Sequence, residues 1–249
     1  MKKSILFFTA ILFAFAFTEP NFKKEQLKNS RVRTAYADKW GLVKGKLQKA
    51  GIDTSHFEIF IRVFKQDAEL EVWAKSKKVP QFKLVEKYAV CSSSGTLGPK
   101  RRQGDGQVPE GFYKVEVFNP NSNYYLSLGI NYPNKSDKII SAGVNAGGDI
   151  MIHGNCVTIG CMPLTDDKIK EVYIMAVEAR NGGQAAIPVH IFPTRMNDKG
   201  MELLRGMVKD DKERLQFWNN LKEGYVFFEE KKTEPLISVD EKGRYILRN

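Results

Sequence analysis

The chain lacks the long apolar runs of a multi-span membrane protein. Ile5 to Phe17 is an apolar run of 13 residues, and about 20 are needed to cross a bilayer. There is no internal repeat, no glycine period and no heptad pattern, which excludes collagen and coiled-coil architectures. There is also no basic helix and no RNA-binding signature. The 39 Lys and Arg are scattered among 29 Asp and Glu, so a net charge of +10 does not make nucleic acid the expected partner.

Cysteine is scarce too. Cys91, Cys156 and Cys161 are the only three, and they lack the paired spacing of a zinc ribbon. A zinc site from His153, Cys156 and Cys161 has suitable ligand types but no evident fourth ligand, so no metal is expected. In an oxidising compartment an odd count leaves at least one thiol without a partner in the chain. An exposed free thiol is a liability there, so the leftover one calls for a functional explanation.

What is present starts with Lys2-Lys3 ahead of the apolar run, the arrangement of a secretory signal. Ala14-Phe15-Ala16 supplies small residues for cleavage after Ala16, so residues 1–16 are expected to be a signal peptide. A retained anchor is the open alternative, and either puts the domain outside the cytoplasm, in the periplasm or envelope. No cysteine follows the run, which argues against a lipoprotein anchor. After cleavage no stable membrane span would remain. Loss of both lysines leaves a charge of +8, still basic enough for attraction to anionic wall polymers.

Hydrophobic residues at 42% and charged residues at 27% are ordinary for a globular domain with a full core. Residues 17–52 read as a polar lead-in and a short helix ending before Gly51. Alternating segments at Phe57 to Phe64, Glu69 to Ala74 and Gln81 to Val90 predict half-buried strands. Further strands are expected at Phe112 to Phe118, Tyr124 to Ile130, Asp149 to His153 and Ile187 to Phe192. A helix over Asp167 to Arg180, capped by Thr165 or Asp166, ends at Asn181-Gly182-Gly183. The long loop Ser92 to Gly111 has the size of a functional segment. Two helices, near Met201 to Val208 and Lys212 to Leu221, and strand or coil at Tyr225 to Phe228 and Tyr245 to Leu247 complete the chain. The expected fold is α+β, mainly β, with a domain over 53–195 and an extension over 196–249 packed on it.

Chemistry concentrates in Ile150 to Asp166, IMIHGNCVTIGCMPLTD. A strand ends at His153, Gly154 allows a sharp turn, and Cys161 follows eight residues after the histidine. An imidazole that takes the thiol proton and later returns it makes a cysteine nucleophile. Gly160 removes bulk beside the thiol and lets nearby main-chain N–H groups face an oxyanion. Cys161 as a structural or disulfide-bonded cysteine is the competing reading, while Cys156 is expected to be structural, facing Cys91 in one arrangement. Thr158 either bonds the turn or lines a groove. Asp166 is read as a helix cap rather than an acid, and His190 as a residue of the sheet face or the groove.

These residues resemble the L,D-transpeptidase (YkuD-type) catalytic domain, whose signature pairs His-Gly with a Ser/Thr-x-Gly-Cys loop. The short His-to-Cys spacing is similar to the YafK-like branch. So are the loop SGTLGPKRRQGDGQVPEGFY, the segment Val189 to Met196 and the pair Phe217-Trp218. The resemblance implies a β-sandwich with peripheral helices and a cysteine enzyme that needs no cofactor. Cys161 would be the acylated nucleophile and His153 the base. The Gly154 carbonyl would orient the imidazole, and the Gly160 and Cys161 N–H groups would hold the oxyanion. The implied substrate is the peptidoglycan stem peptide, with a wall-linked protein as a further partner. The acyl group would pass to an amine, or alternatively to water as in an amidase or endopeptidase. Typical members carry His where Ile159 stands and Arg shortly after the cysteine, where this chain has Met162-Pro163-Leu164. Lys100, Arg101 or Arg102 in the long loop is the candidate replacement cation for binding substrate.

Overall fold

A computed structural model describes residues 21–208 and 210–248; the expected signal segment lies outside them. The chain opens with α1 (Phe22–Gln26) and α2 (Ser30–Lys49). Asn29 caps α2 by accepting from Arg31 N at 2.9 Å. The helix is much longer than its apolar pattern suggests. Only Val32, Ala35, Val43 and Leu47 are buried on it, so its apolar stripe is thin and the periodic signal weak.

Strands β1 (Phe57–Phe64), β2 (Glu69–Ser76) and β3 (Lys83–Ala89) follow as an antiparallel meander. After the long loop come β4 (Gly111–Asn119), β5 (Ser127–Ile130), α3 (Lys135–Ile140), β6 (Met151–His153) and β7 (Met162–Pro163). Then α4 (Asp166–Asn181) leads into β8 (Ile187–Phe192). The C-terminal extension is α5 (Asp198–Met207), α6 (Lys212–Lys231) and the ribbon β9 (Leu236–Val239) with β10 (Tyr245–Arg248). Tyr225 to Phe228, expected as strand or coil, is thus the last part of α6. Tyr225 and Phe228 are buried against the sheet, and packing outweighs the local strand preference of aromatic residues.

Eight strands form one mixed sheet in the order β3-β2-β1-β8-β4-β5-β6-β7. The central strands are covered on both sides. Ile59, Ile61 and Val63 of β1 and Ile187, Val189 and Ile191 of β8 join the core shared with α2 and α4. Phe64 and Phe192 point the other way, into a second core with Trp218, Leu221 and Tyr225 of α6. Burial on both faces is why Ile187 to Phe192 is apolar nearly throughout. Lys46 of α2 and Tyr88 of β3 both bond Glu171 of α4, at 2.5 and 3.0 Å, locking the first layer. On the opposite face Arg62 meets Glu229 of α6 at 2.8 Å. The architecture is the mainly-β α+β fold expected from the sequence. Its far edge, β5-β6-β7, carries His153 and Cys161.

Candidate active site

The parallel pairing of β6 with β7 sets Ile152 opposite Met162 and His153 opposite Pro163. Cys161 immediately precedes β7. The register therefore brings the segment that carries Cys161 alongside β6. The turn between the strands has two constrained points. Gly154 needs to be glycine because of close approach rather than backbone freedom: a Cβ there would lie 2.5 Å from Asp166 Oδ1 and 2.9 Å from Tyr124 O. Gly160 has φ +135, which side chains resist, and its Cβ would lie 3.0 Å from Gln107 O. The sharp reversal expected at Gly154 is taken by Asn155, at φ 62.

His153 is 1% exposed. Its Nδ1 lies 2.5 Å from Gly154 O. A carbonyl only accepts, so Nδ1 carries the proton and Nε2 of the neutral ring keeps its lone pair. The Tyr124 ring lies against the imidazole, 4.7 Å between centroids; no sequence motif points to this tyrosine. Burial lowers the His153 pKa, partly offset by the Gly154 bond. Cys161 is the free thiol among the described cysteines. Burial pushes its pKa up, the Met151 main-chain hydrogen bond draws it down, Asp149 raises it, and Lys100 lowers it. Both shifts favour a neutral thiol and a neutral imidazole over a charged thiolate and imidazolium. The thiol donates to Asp149 O at 3.6 Å, and among the described residues no hydrogen bond joins it to His153.

Thr158 bonds the turn. Its hydroxyl donates to Cys161 O at 2.8 Å and accepts from Cys161 N at 2.8 Å and from Gly160 N at 3.2 Å. The two N–H groups expected to hold an oxyanion are therefore engaged with Thr158. Ile159, where family members usually have His, is 88% exposed.

The long loop lies against this turn. Asp105 organises it, accepting from Lys100 Nζ at 2.6 Å and from the main-chain N–H groups of Arg101, Arg102 and Gln107. Burial opposes its ionisation, but these donors hold its carboxyl down at about 2. Lys100 is buried and also donates to Arg102 O, so its charge is used inside the loop. Arg101 pairs with Asp137 at 3.1 Å and lies over the Phe217 ring. Glu110, fully buried, accepts from Lys65 at 2.9 Å, Gly98 N at 2.7 Å and Trp218 Nε1 at 2.7 Å. It joins the loop, the sheet and α6, a role that no sequence pattern marked.

Cys91 and Cys156 form a disulfide with 5.4 Å between Cα atoms. It removes Cys156 from any zinc set and from pairing with Cys161, and it ties the turn after His153 to the start of the long loop. Asp166 is not a side-chain cap: Thr165 holds the N-cap position of α4, and Asp166 Oδ1 accepts from Asn155 N at 2.8 Å. It fastens the turn to the first residue of the helix. His190 is away from this edge, packed by Phe60 and Phe112 at 4.6 Å each. Burial, with Arg62 nearby, lowers its pKa to about 3.

The L,D-transpeptidase catalytic domain family, YkuD, matches residues 58–191, which is more than half of the chain. The "Putative L,D-transpeptidase YafK" of Escherichia coli K12 is 38% identical over 191 residues, covering 76% of this chain and 73% of YafK. Among solved structures, the helical cell shape determining protein Pgp2 from Campylobacter jejuni is similar with a TM-score of 0.45 and 18% identity, covering 80% of each chain. Bd1075 of Bdellovibrio bacteriovorus gives a TM-score of 0.40 and 19% identity, over 74% of this chain and 77% of its own. These two likenesses are too remote to add to the assignment, which rests on the sequence matches. By those matches, the chain belongs to the YkuD family of L,D-transpeptidase catalytic domains.

Proposed function

We propose that the protein is an exported cysteine acyltransferase of the cell wall, with Cys161 as nucleophile and His153 as general base. What supports the reading is the β6–β7 register, which brings the segment that carries the free thiol of Cys161 alongside the strand ending at the buried, tautomer-fixed His153. His153 Nδ1–H donates a hydrogen bond to the Gly154 carbonyl, which orients the ring as a carboxylate does in a triad.

In the reaction Cys161 turns from Asp149 towards Nε2, which takes the thiol proton as sulfur attacks the carbonyl carbon of a stem peptide. The C–N bond breaks, Nε2–H protonates the departing amine, and a thioester remains. An incoming amine attacks the thioester, Nε2 takes its proton, and the thiol is restored with that proton. The Gly160 and Cys161 N–H groups stabilise the oxyanion once Thr158 yields them. With both groups neutral at rest, the proton passes to Nε2 as the sulfur–carbon bond forms rather than before it.

The test is incubation of purified wall with the protein and with Cys161→Ala, followed by mass analysis of the fragments. The expected result is new crosslinks or exchanged terminal residues with the unaltered protein alone. Identical fragments in both incubations would reject the proposal, and released peptide without crosslinks would assign water as the acceptor.

A further inference from the structure

His153 is 1% exposed, yet the side chain stacked on it reaches solvent. Tyr124 lies against the imidazole with 4.7 Å between ring centroids and 33° between planes, and is itself 43% exposed. Its ring is therefore a wall between the histidine and water. A stacked ring covers a face of the imidazole and leaves the edge, where Nε2 keeps its lone pair, able to accept a proton. Burial lowers the His153 pKa and the Gly154 bond raises it, so a side chain that supplies burial also sets the acidity of the ring. The titratable groups on the surrounding elements are Tyr125 beside Tyr124, Asp149 ahead of β6, Cys161 before β7 and Asp166 of α4. Among the described residues none of them is hydrogen-bonded to the imidazole, whose partner is Gly154 O.

Groups from elsewhere hold Tyr124 in the β4–β5 loop. Its N–H donates to Ser122 Oγ at 3.0 Å. Tyr125 has φ 70, a left-handed conformation that a bulky residue keeps only where its surroundings impose it. Arg31 of α2 does so: its Nη1 donates to Ser122 O at 2.6 Å and to Tyr125 O at 2.7 Å, flanking Tyr124 in the chain. The Tyr124 carbonyl packs against Gly154, and Gly154 N donates to Leu126 O at 3.1 Å. The loop is thus fastened to the same residue that orients the imidazole.

We propose that Tyr124 is the positioning residue of His153 and that Arg31 is its clamp: the ring keeps the imidazole dry and holds it in the orientation that Gly154 O selects. The part of His153 as general base rests on the function proposed above. Arg31 lies outside the 58–191 match, so helix α2 belongs to the apparatus that sets the base. Without the tyrosine ring, water reaches the imidazole and favours its charged form, and the ring is free to turn away from its hydrogen bond.

His153 can be titrated without substrate, by following its ring protons by NMR in the full-length protein, with His153→Gln to assign the signal. Tyr124→Phe keeps the ring and should keep the pKa of the unaltered protein. Tyr124→Ala should raise it by at least about 0.3 unit, towards the ordinary value of about 6.5. Arg31→Met, remote from the imidazole, should raise it by a smaller amount, and it reads the proposal should Tyr124→Ala fail to fold. The acid limb of kcat/KM should move up with the titration, a shift that a general loss of stability would not produce. A smaller rise than that in folded Tyr124→Ala, or none in folded Arg31→Met, would overturn the assignment. The expected titrations in a protein whose Cys161 never becomes acylated would leave the role of Tyr124 standing and reject the proposed function instead.

Discussion

His153 has one ring nitrogen committed to a carbonyl and the other free to accept, a division set by Gly154 O. Its depressed pKa has a sign that can be read in kinetics. The base-competent ring is the neutral one, and lowering the pKa keeps it neutral to lower pH. The acid limb of kcat/KM should therefore lie below about pH 6.5, the value of an ordinary histidine. Cys161 moves the other way. Its alkylation by iodoacetamide, which needs the thiolate, should still be accelerating above about pH 9.5, where an unperturbed thiol with a pKa of about 8.5 has levelled off. An acid limb above the ordinary histidine value, or alkylation that levels off near neutrality, would mean a preformed thiolate–imidazolium pair. Thr158 is the residue whose role the sequence left open, because a hydroxyl beside a turn serves turn and groove equally well on paper. Three hydrogen bonds to residues 160 and 161 show it bonding the turn.

The turn between β6 and β7 is held by three fastenings: Asp166 at the start of α4, the Gly154 contacts and the Cys91–Cys156 disulfide. The disulfide closes a separation of 65 residues. On chain-entropy grounds such a loop contributes about 4 kcal/mol, with measured losses on removal usually about 2–5 kcal/mol. Cys91→Ala with Cys156→Ala should lower unfolding stability within that range by denaturant titration, and a loss under about 0.5 kcal/mol would show that the staple is redundant. Elements with a strong period were legible beforehand: β1, β8 and α4 follow from alternation or a helical stripe, and their bounds fall close to the expected ones. The two-residue β7 was not, since so short a strand leaves no periodicity. Helix α3 was missed as well, because its signal is one capping box, Asn134 with Asp137, over six residues. Residue type and spacing singled out His153 and Cys161, and the register of β6 with β7 brings their segments side by side. Tyr124, Glu110 and the part of Asp166 were not legible, because each acts through contacts between segments distant in sequence.

At the scale of the whole molecule, the sheet is clasped between α2 and α4 on one face and α5 and α6 on the other. The second face is tied to the long loop through Glu110, whose carboxylate is shared among Lys65, Gly98 and Trp218. Trp218→Phe keeps most of the buried ring but removes one hydrogen bond to a charged, buried acceptor, a change of about 1.5–3 kcal/mol. Denaturant unfolding should report that loss. The loop around Gly98 should also exchange its amide hydrogens faster, while amides of α2 and α4 keep their protection. Equal protection of the loop in both proteins would mean that α6 does not brace it.

The most direct measurement is peptide mapping of the protein quenched in acid after brief exposure to a stem peptide. The account predicts an acyl mass on the peptide that contains Cys161, absent in Cys161→Ala and formed about 10³-fold more slowly in His153→Gln. An acyl group on any other residue, or equal acylation rates with and without the imidazole, would contradict it.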